Sequence, residues 1–162
     1  MPAGSPQATA ALKNASGAGV GTASFWEDAS GVRIVAQARG ISPGRHGIHI
    51  HAVGKCDPPD FTTAGGHYNP AGKKHGLKIP AGPHAGDLPN LDVGTDRTGR
   101  LEYVTRLVTL GPGPTSLFDA DGSALVIHAN PDDEMTDPTG NSGGRIACGV
   151  LTRAVAPRSY SY

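Results

Sequence analysis

"HGIHIHAVGKC", residues 46–56, sets three histidines within six positions and a cysteine five residues after the last. Side chains alternate along an extended strand, so His49 and His51 share one face while Ile48 and Ile50 share the other. The isoleucines then enter a core and the two imidazoles leave it side by side. His46 has the opposite parity and reads as a hydrogen-bonded structural histidine. A His-x-His pair alone is more often plain polar surface than half of a metal site, so the question passes to the rest of the chain.

The same period of two runs through "ATAALK" (8–13), "GVGTASFWE" (19–27), "VRIVAQAR" (32–39), "RHGIHIH" (45–51), "LDVGTD" (91–96), "RLEYVTRLV" (100–108), "SALVIHA" (123–129) and "RIACGVLT" (145–152). In "VRIVAQAR", Val32, Ile34, Ala36 and Ala38 share a face, with Arg33, Gln37 and Arg39 opposite. Turn formers such as "NASGA", "SPG", "DRTG" and "DADG" punctuate the series. No sustained helical period and no repeat is present. About eight antiparallel strands joined by glycine-rich turns predict an all-β sandwich or barrel. Gly 24, Pro 14 and only 5% aromatics in 162 residues agree with many turns and short elements. The length is that of one domain, 1–162, with 1–6 and 153–162 expected as flexible tails.

Lys+Arg and Asp+Glu are balanced at 14 each, which gives no basic footprint for nucleic acid. No apolar run reaches the roughly 18 residues that a membrane-spanning helix needs. "MPAGSPQATAAL" lacks the charged and apolar regions of a signal peptide, as expected of a protein made without one or of a mature form. Cys56 and Cys148 have two readings. They are free core thiols, the default in a cytosolic protein, or a pair closing a 92-residue separation. Such closure contributes about 4–5 kcal/mol and suits an oxidising compartment.

Two long insertions, 52–90 and 129–144, interrupt the strands, and loops of this length in a compact domain are usually functional. All seven histidines fall between positions 46 and 128. His128 ends the apolar run "ALVIH" and offers a third imidazole beside His49 and His51. Three or four imidazoles around one ion suit copper, zinc or iron. Within 52–90, His67, His75, His84 and Asp87 are separated by intervals of eight, nine and three positions along the chain. Three imidazoles and a carboxylate fill a closed tetrahedral zinc shell.

"GIHIHAVGKC", "TTAGGHYNP", "KKHG", "PHAGDLPN", "VIHA" and "GNSGGRIACGV" occur in this order, and together they resemble the copper/zinc superoxide dismutase family from about residue 7 to 152. The variants "PDFTTAGGHYNP" and "TDPTGNSGGRIACGV" resemble bacterial members more than animal ones. The resemblance implies an eight-stranded antiparallel Greek-key barrel or sandwich with two long functional loops. It implies copper on His49, His51, His67 and His128, and zinc on His67, His75, His84 and Asp87, with His67 shared. Asp132 becomes the carboxylate that hydrogen-bonds the outer nitrogens of His49 and His75. Cys56 and Cys148 become a disulfide, replacing the free-thiol default. Arg145 and His67 become the catalytic pair, one guiding the anion and the other carrying a proton.

The implied activity is dismutation of superoxide to oxygen and hydrogen peroxide, in antioxidant defence, by a periplasmic or otherwise extracytoplasmic monomer or homodimer. One departure stands out. The loop 129–144 carries Asp132, Asp133, Glu134 and Asp137 but no lysine, so electrostatic steering is expected either to come from Lys73, Lys74 or Lys78 or to be weaker. The alternatives are a non-catalytic copper-handling domain and a zinc-stabilised binding module on the same fold.

Overall fold

A computed structural model describes residues 4–154. The alternating segments become strands β1 (Ala8–Asn14), β2 (Gly19–Asp28), β3 (Gly31–Arg39), β4 (Gly44–His46), β5 (Ile48–His51), β6 (Leu91–Val93), β7 (Thr98–Thr105), β8 (Ala124–His128) and β9 (Arg145–Arg153). They form one antiparallel sheet in the order β4-β6-β7-β3-β2-β1-β9-β8-β5. The chain passes over β7 and β6 between β3 and β4, and crosses the sheet again between β7 and β8. Such crossovers are those of a Greek key rather than an up-and-down meander.

The ninth strand comes from the opening stretch. "RHGIHIH" is not one strand but two, hinged at Gly47. β4 and β5 are consecutive in sequence yet lie at opposite edges of the sheet, so this single residue brings the edges together and leaves the barrel nearly closed. The Gly47 N–H donates to the Asn130 carbonyl at 2.9 Å, and its own carbonyl accepts from the His128 N–H at 2.7 Å. A Cβ there would stand 2.7 Å from the Ser142 Cβ, so only glycine passes.

Parity decides what fills the barrel. Ile48, Ile50, Val32, Ile34, Ala36, Leu125 and Ile127 pack with Leu12 and Phe25 in one core, all fully or almost fully buried. Complete burial of each isoleucine contributes roughly 1.5–3 kcal/mol. β7 ends at Thr105, short of the expected residue 108, because Val108 turns inward with Leu110 and Leu117 to cover that core. Of the expected tails, 1–3 and 155–162 lie outside the described residues. Within the rest, the Gly4 carbonyl accepts from Trp26 Nε1 at 3.1 Å, and Arg153 is the last residue of β9, paired with Ala8.

The loop 52–90 folds back along the free edge of β5. The Ile50 N–H donates to Gly86 at 2.9 Å, Tyr68 donates to the Ile50 carbonyl at 2.8 Å, and Ala52 donates to Gly66 at 2.9 Å. A strand edge that would otherwise carry unpaired donors and acceptors is thereby satisfied. The imidazoles of His49 and His51 do leave the core, but they leave it under this loop and are buried.

Candidate metal centre

β5 and β8 supply one wall. The register His49↔Val126 and His51↔Ala124 places even-numbered β8 residues, His128 included, on the face of His49 and His51. The returning loop pairs His51 with His67 and His49 with Asp87 across isolated bridges. His75 and His84 come from the same loop, and Asp132 from the loop after β8. Every side chain of the expected site is therefore brought together, while His46 stands apart. Its Nδ1 lies 2.8 Å from the His128 carbonyl and its Nε2 lies 2.7 Å from the Ser42 carbonyl, the structural role its parity predicted.

A count of ring nitrogens shows what the cluster is built for. His49 Nε2 donates to Asp132 Oδ2 at 2.7 Å and His75 Nε2 to Asp132 Oδ1 at 2.9 Å. His51 Nδ1 donates to the Gly65 carbonyl at 2.8 Å, and His128 Nδ1 to the Gly143 carbonyl at 3.1 Å. A neutral imidazole has one proton, so His49, His51 and His128 turn a lone pair inward, and His75 does so once a cation displaces its inward proton. His49 Nδ1, His75 Nδ1 and His67 Nε2 are buried without a hydrogen-bond partner. Each such orphan costs about 1–3 kcal/mol unless something else satisfies it. Three lone pairs converging in one place call for a cation.

The inward atoms fall into two groups that share His67. One ligand atom each from His49, His51, His67 and His128 lies within 4.8 Å of the others. Beside them, His67 Nδ1 is 3.0 Å from His84 Nδ1 and 3.1 Å from Asp87 Oδ1. Asp87 Oδ1 is 2.9 Å from His75 Nδ1 and 3.5 Å from His84 Nδ1. The His75 approach is of the size that separates two ligands of one ion. An ion with about 2.0–2.1 Å bonds to nitrogen has a tetrahedral edge of about 3.3 Å, which these separations bracket. By distance His49 also falls near His67, His75 and Asp87. Its one free nitrogen serves one ion, however, and only His67 keeps both nitrogens for the centre. The residues present thus fit an imidazole-rich site for copper next to a zinc site of three histidines and one aspartate.

Electrostatics divides the halves. Burial penalises the imidazolium, and neighbouring imidazoles add to it. His49 is lowered, His51 is lowered well below its ordinary value, His67 falls to about 4 and His128 to about 3. These rings are neutral near pH 7, the form that ligates. Burial also opposes charge on His75, but Asp132 and Asp87 outweigh it and raise this ring to about 9. Burial alone would raise both carboxyls. Histidine and backbone N–H donors overcome it and hold Asp87 and Asp132 well below the usual range. The His75 side of the centre is an anionic pocket that favours a cation.

Arg145 reaches the rim through an irregularity. Ile127 pairs with Ala147 but His128 pairs with Arg145, so a bulge at Ile146 sets the arginine directly across from His128. Its Nη1 donates to the Phe61 carbonyl at 2.8 Å. Phe61, left-handed at φ 57°, packs with Ala64, Ala124, Val126 and the cysteines. Cys56 and Cys148 form a disulfide with Cα atoms 5.6 Å apart, tying the loop that holds Arg145 to the strand that bears it.

The acidic loop 129–144 engages its carboxylates with its own chain and with the loop 52–90. Asp133 accepts from Met135, Thr136 and Asn141, Asp137 accepts from the His75 N–H at 2.8 Å, and Glu134 pairs with Lys78 at 3.3 Å. Of the three lysines expected to steer, Lys78 is therefore partly neutralised, while Lys73 and Lys74 are exposed. Nothing local in the sequence marked the Phe61 carbonyl or Asp137, whose partners lie 84 and 62 residues away.

Residues 20–151 match the copper/zinc superoxide dismutase (SODC) family. A superoxide dismutase (Cu-Zn) of Aquifex aeolicus is 48% identical over 86% of this chain and 84% of its own length. One of Caulobacter vibrioides is 42% identical over 89% and 84%. A superoxide dismutase-like protein of Bacillus subtilis is 44% identical over 86% and 73%. Among solved structures, a SOD-like protein from Bacillus subtilis superposes with a TM-score of 0.85 at 41% identity, over 89% of this chain and 97% of that one. With the fold, the histidine centre and these relatives in agreement, the chain belongs to the copper/zinc superoxide dismutase family.

Proposed function

We propose that this protein dismutates superoxide to oxygen and hydrogen peroxide, with copper held by His49, His51, His67 and His128 and zinc by His67, His75, His84 and Asp87. The convergence of buried ring nitrogens without partners, on rings whose outer nitrogens are otherwise engaged, carries this reading. Bound copper would supply a one-electron couple for oxidising one superoxide and reducing a second, whereas zinc would be redox-silent and serve structure.

The chain does the rest. The Arg145 guanidinium, fixed by the Phe61 carbonyl, draws a small anion to the rim beside His128. His67 Nε2 is the buried base that takes up and returns one of the two protons that peroxide requires. Asp132 keeps His49 and His75 in the ligating tautomer.

Metal analysis with a superoxide-consumption assay tests the proposal. Near-stoichiometric copper and zinc with activity is the expected result. Stoichiometric copper without activity would favour the copper-handling alternative, and zinc alone the binding module. The disulfide and the bacterial relatives support an extracytoplasmic, periplasmic site of action, and the protein acts there as a monomer or homodimer in this proposal. Fractionation and sedimentation address these two points. Among the described residues no helix is long and apolar enough to cross a membrane.

A further inference from the structure

The outer nitrogens of the centre follow one rule with one exception. Those of His49, His51, His75 and His128 are each held by an oxygen at 2.7–3.1 Å. His67 turns both nitrogens inward. Only the outer nitrogen of His84, Nε2, has no bond of that length. It faces Asp137 Oδ1 at 3.7 Å, and that same oxygen already accepts the His75 N–H at 2.8 Å.

We propose that Asp137 is a positioning residue of the zinc half, orienting His84 through Nε2–H while anchoring the backbone of His75. This rests on the zinc assignment above. Metal-bound histidines characteristically donate their other N–H to a carboxylate or carbonyl, which fixes ring and tautomer. The Asp137 side chain is 46% exposed, so it is free to close the remaining gap directly or through one water. Its place in the fold gives the contact its meaning. Asp132 and Asp137, five positions apart on the loop 129–144, together hold His49, His75 and His84 from outside. The loop that supplies the acidic residues is thus a clamp on the loop that supplies the zinc ligands. Further links between the same loops are the Lys78 N–H to Glu134 carbonyl bond at 3.1 Å and the Asn90–Asp132 pair at 2.8 and 2.9 Å.

The test compares Asp137→Ala, Asp137→Asn and Asp133→Ala with the parent. Asn keeps an acceptor for the His75 N–H and removes only the charge facing His84. Asp133 makes several hydrogen bonds inside the loop and touches no histidine of the centre, so it controls for loop order alone. Zinc affinity is read by chelator competition on the copper-loaded protein, and the visible bands of Co(II) placed at the zinc position report the ligand field. The expected result is a 10–100-fold weaker hold on zinc in Asp137→Ala, a smaller loss in Asp137→Asn, shifted cobalt bands in both, and neither change in Asp133→Ala. Zinc affinity within about twofold of the parent and unshifted bands in both Asp137 variants would overturn the role, as would an equal loss in Asp133→Ala. A parent that takes up no zinc overturns the zinc assignment as well, which separates the two failures.

Discussion

Replacing Asp132 by asparagine changes one oxygen to an amide NH2 and removes one negative charge with almost no change in volume, so it tests what the carboxylate does at the centre without a cavity. Asp132 Oδ2 accepts from His49 Nε2 at 2.7 Å, while Oδ1 accepts from His75 Nε2 at 2.9 Å and from the Glu134 N–H at 2.7 Å. An asparagine offers one oxygen for these donors. With that oxygen in the Oδ1 place, His49 meets NH2. With it in the Oδ2 place, His49 at 2.7 Å and His75 at 3.0 Å must share that one oxygen, and the Glu134 N–H meets NH2. In the first arrangement His49 moves its proton to Nδ1, the atom that points inward, and loses the lone pair a metal needs; in the second, two rings share one neutral amide oxygen, a weaker acceptor than a carboxylate. Loss of an outer partner typically weakens a metal site 10–100-fold, or about 1.4–2.7 kcal/mol. Competition titrations with calibrated chelators, run separately for copper and zinc, should find at least one affinity reduced by that factor. If Asp132→Asn holds both metals within about twofold of the parent, the outer carboxylate does not govern the ligating rings and the reasoning is wrong.

Replacing Cys56 and Cys148 together by serine should lower the stability of the metal-free protein by about 4–5 kcal/mol, given the 92-residue separation, and a loss below about 1 kcal/mol in denaturant unfolding would count against it. His67 and His128 fall to about 4 and 3 from 6.5, so between pH 6.5 and those values the unfolded chain binds more protons and metal-free stability drops as pH falls. His75, raised to about 9, contributes in the opposite sense: its stabilisation is full below pH 6.5 and is lost as pH rises through 9. Urea unfolding of the metal-free protein should thus show a maximum near pH 6.5, and stability still climbing below pH 5 would refute the neutral-ring assignment. Arg145→Ala should slow superoxide consumption and flatten its dependence on salt with both metals retained, and a variant as fast as the parent would remove the guiding role from Arg145.

What was legible in the chain was whatever alternation and spacing encode. Period two located eight of the segments that become strands, and parity alone separated His49 and His51 from His46 and from the core-forming isoleucines. The order of motifs named the family and, with it, the expectation that His67 is shared. Local pattern has no access to backbone pairing between distant segments. The break at Gly47 was invisible because glycine fits a strand as well as a hinge, and only its bonds to Asn130 and His128 choose the hinge. The inward turn of Val108 reads in sequence as continued strand.

The amino-acid sequence by itself determined which strand side chains enter the core and which turn away from it, because alternation is a property of the extended backbone and needs no partner. Tertiary structure decided everything that depends on a second segment arriving. The loop return buried the imidazoles and lowered the pKa values of His49, His51, His67 and His128, and the bulge between Ile127 and His128 aimed Arg145. Asp132 and Asp137 acquired their duties only when the acidic loop closed over the histidines. A ring nitrogen becomes a ligand when its other nitrogen finds an acceptor and water is gone, and both conditions are set by chain that lies tens of residues away.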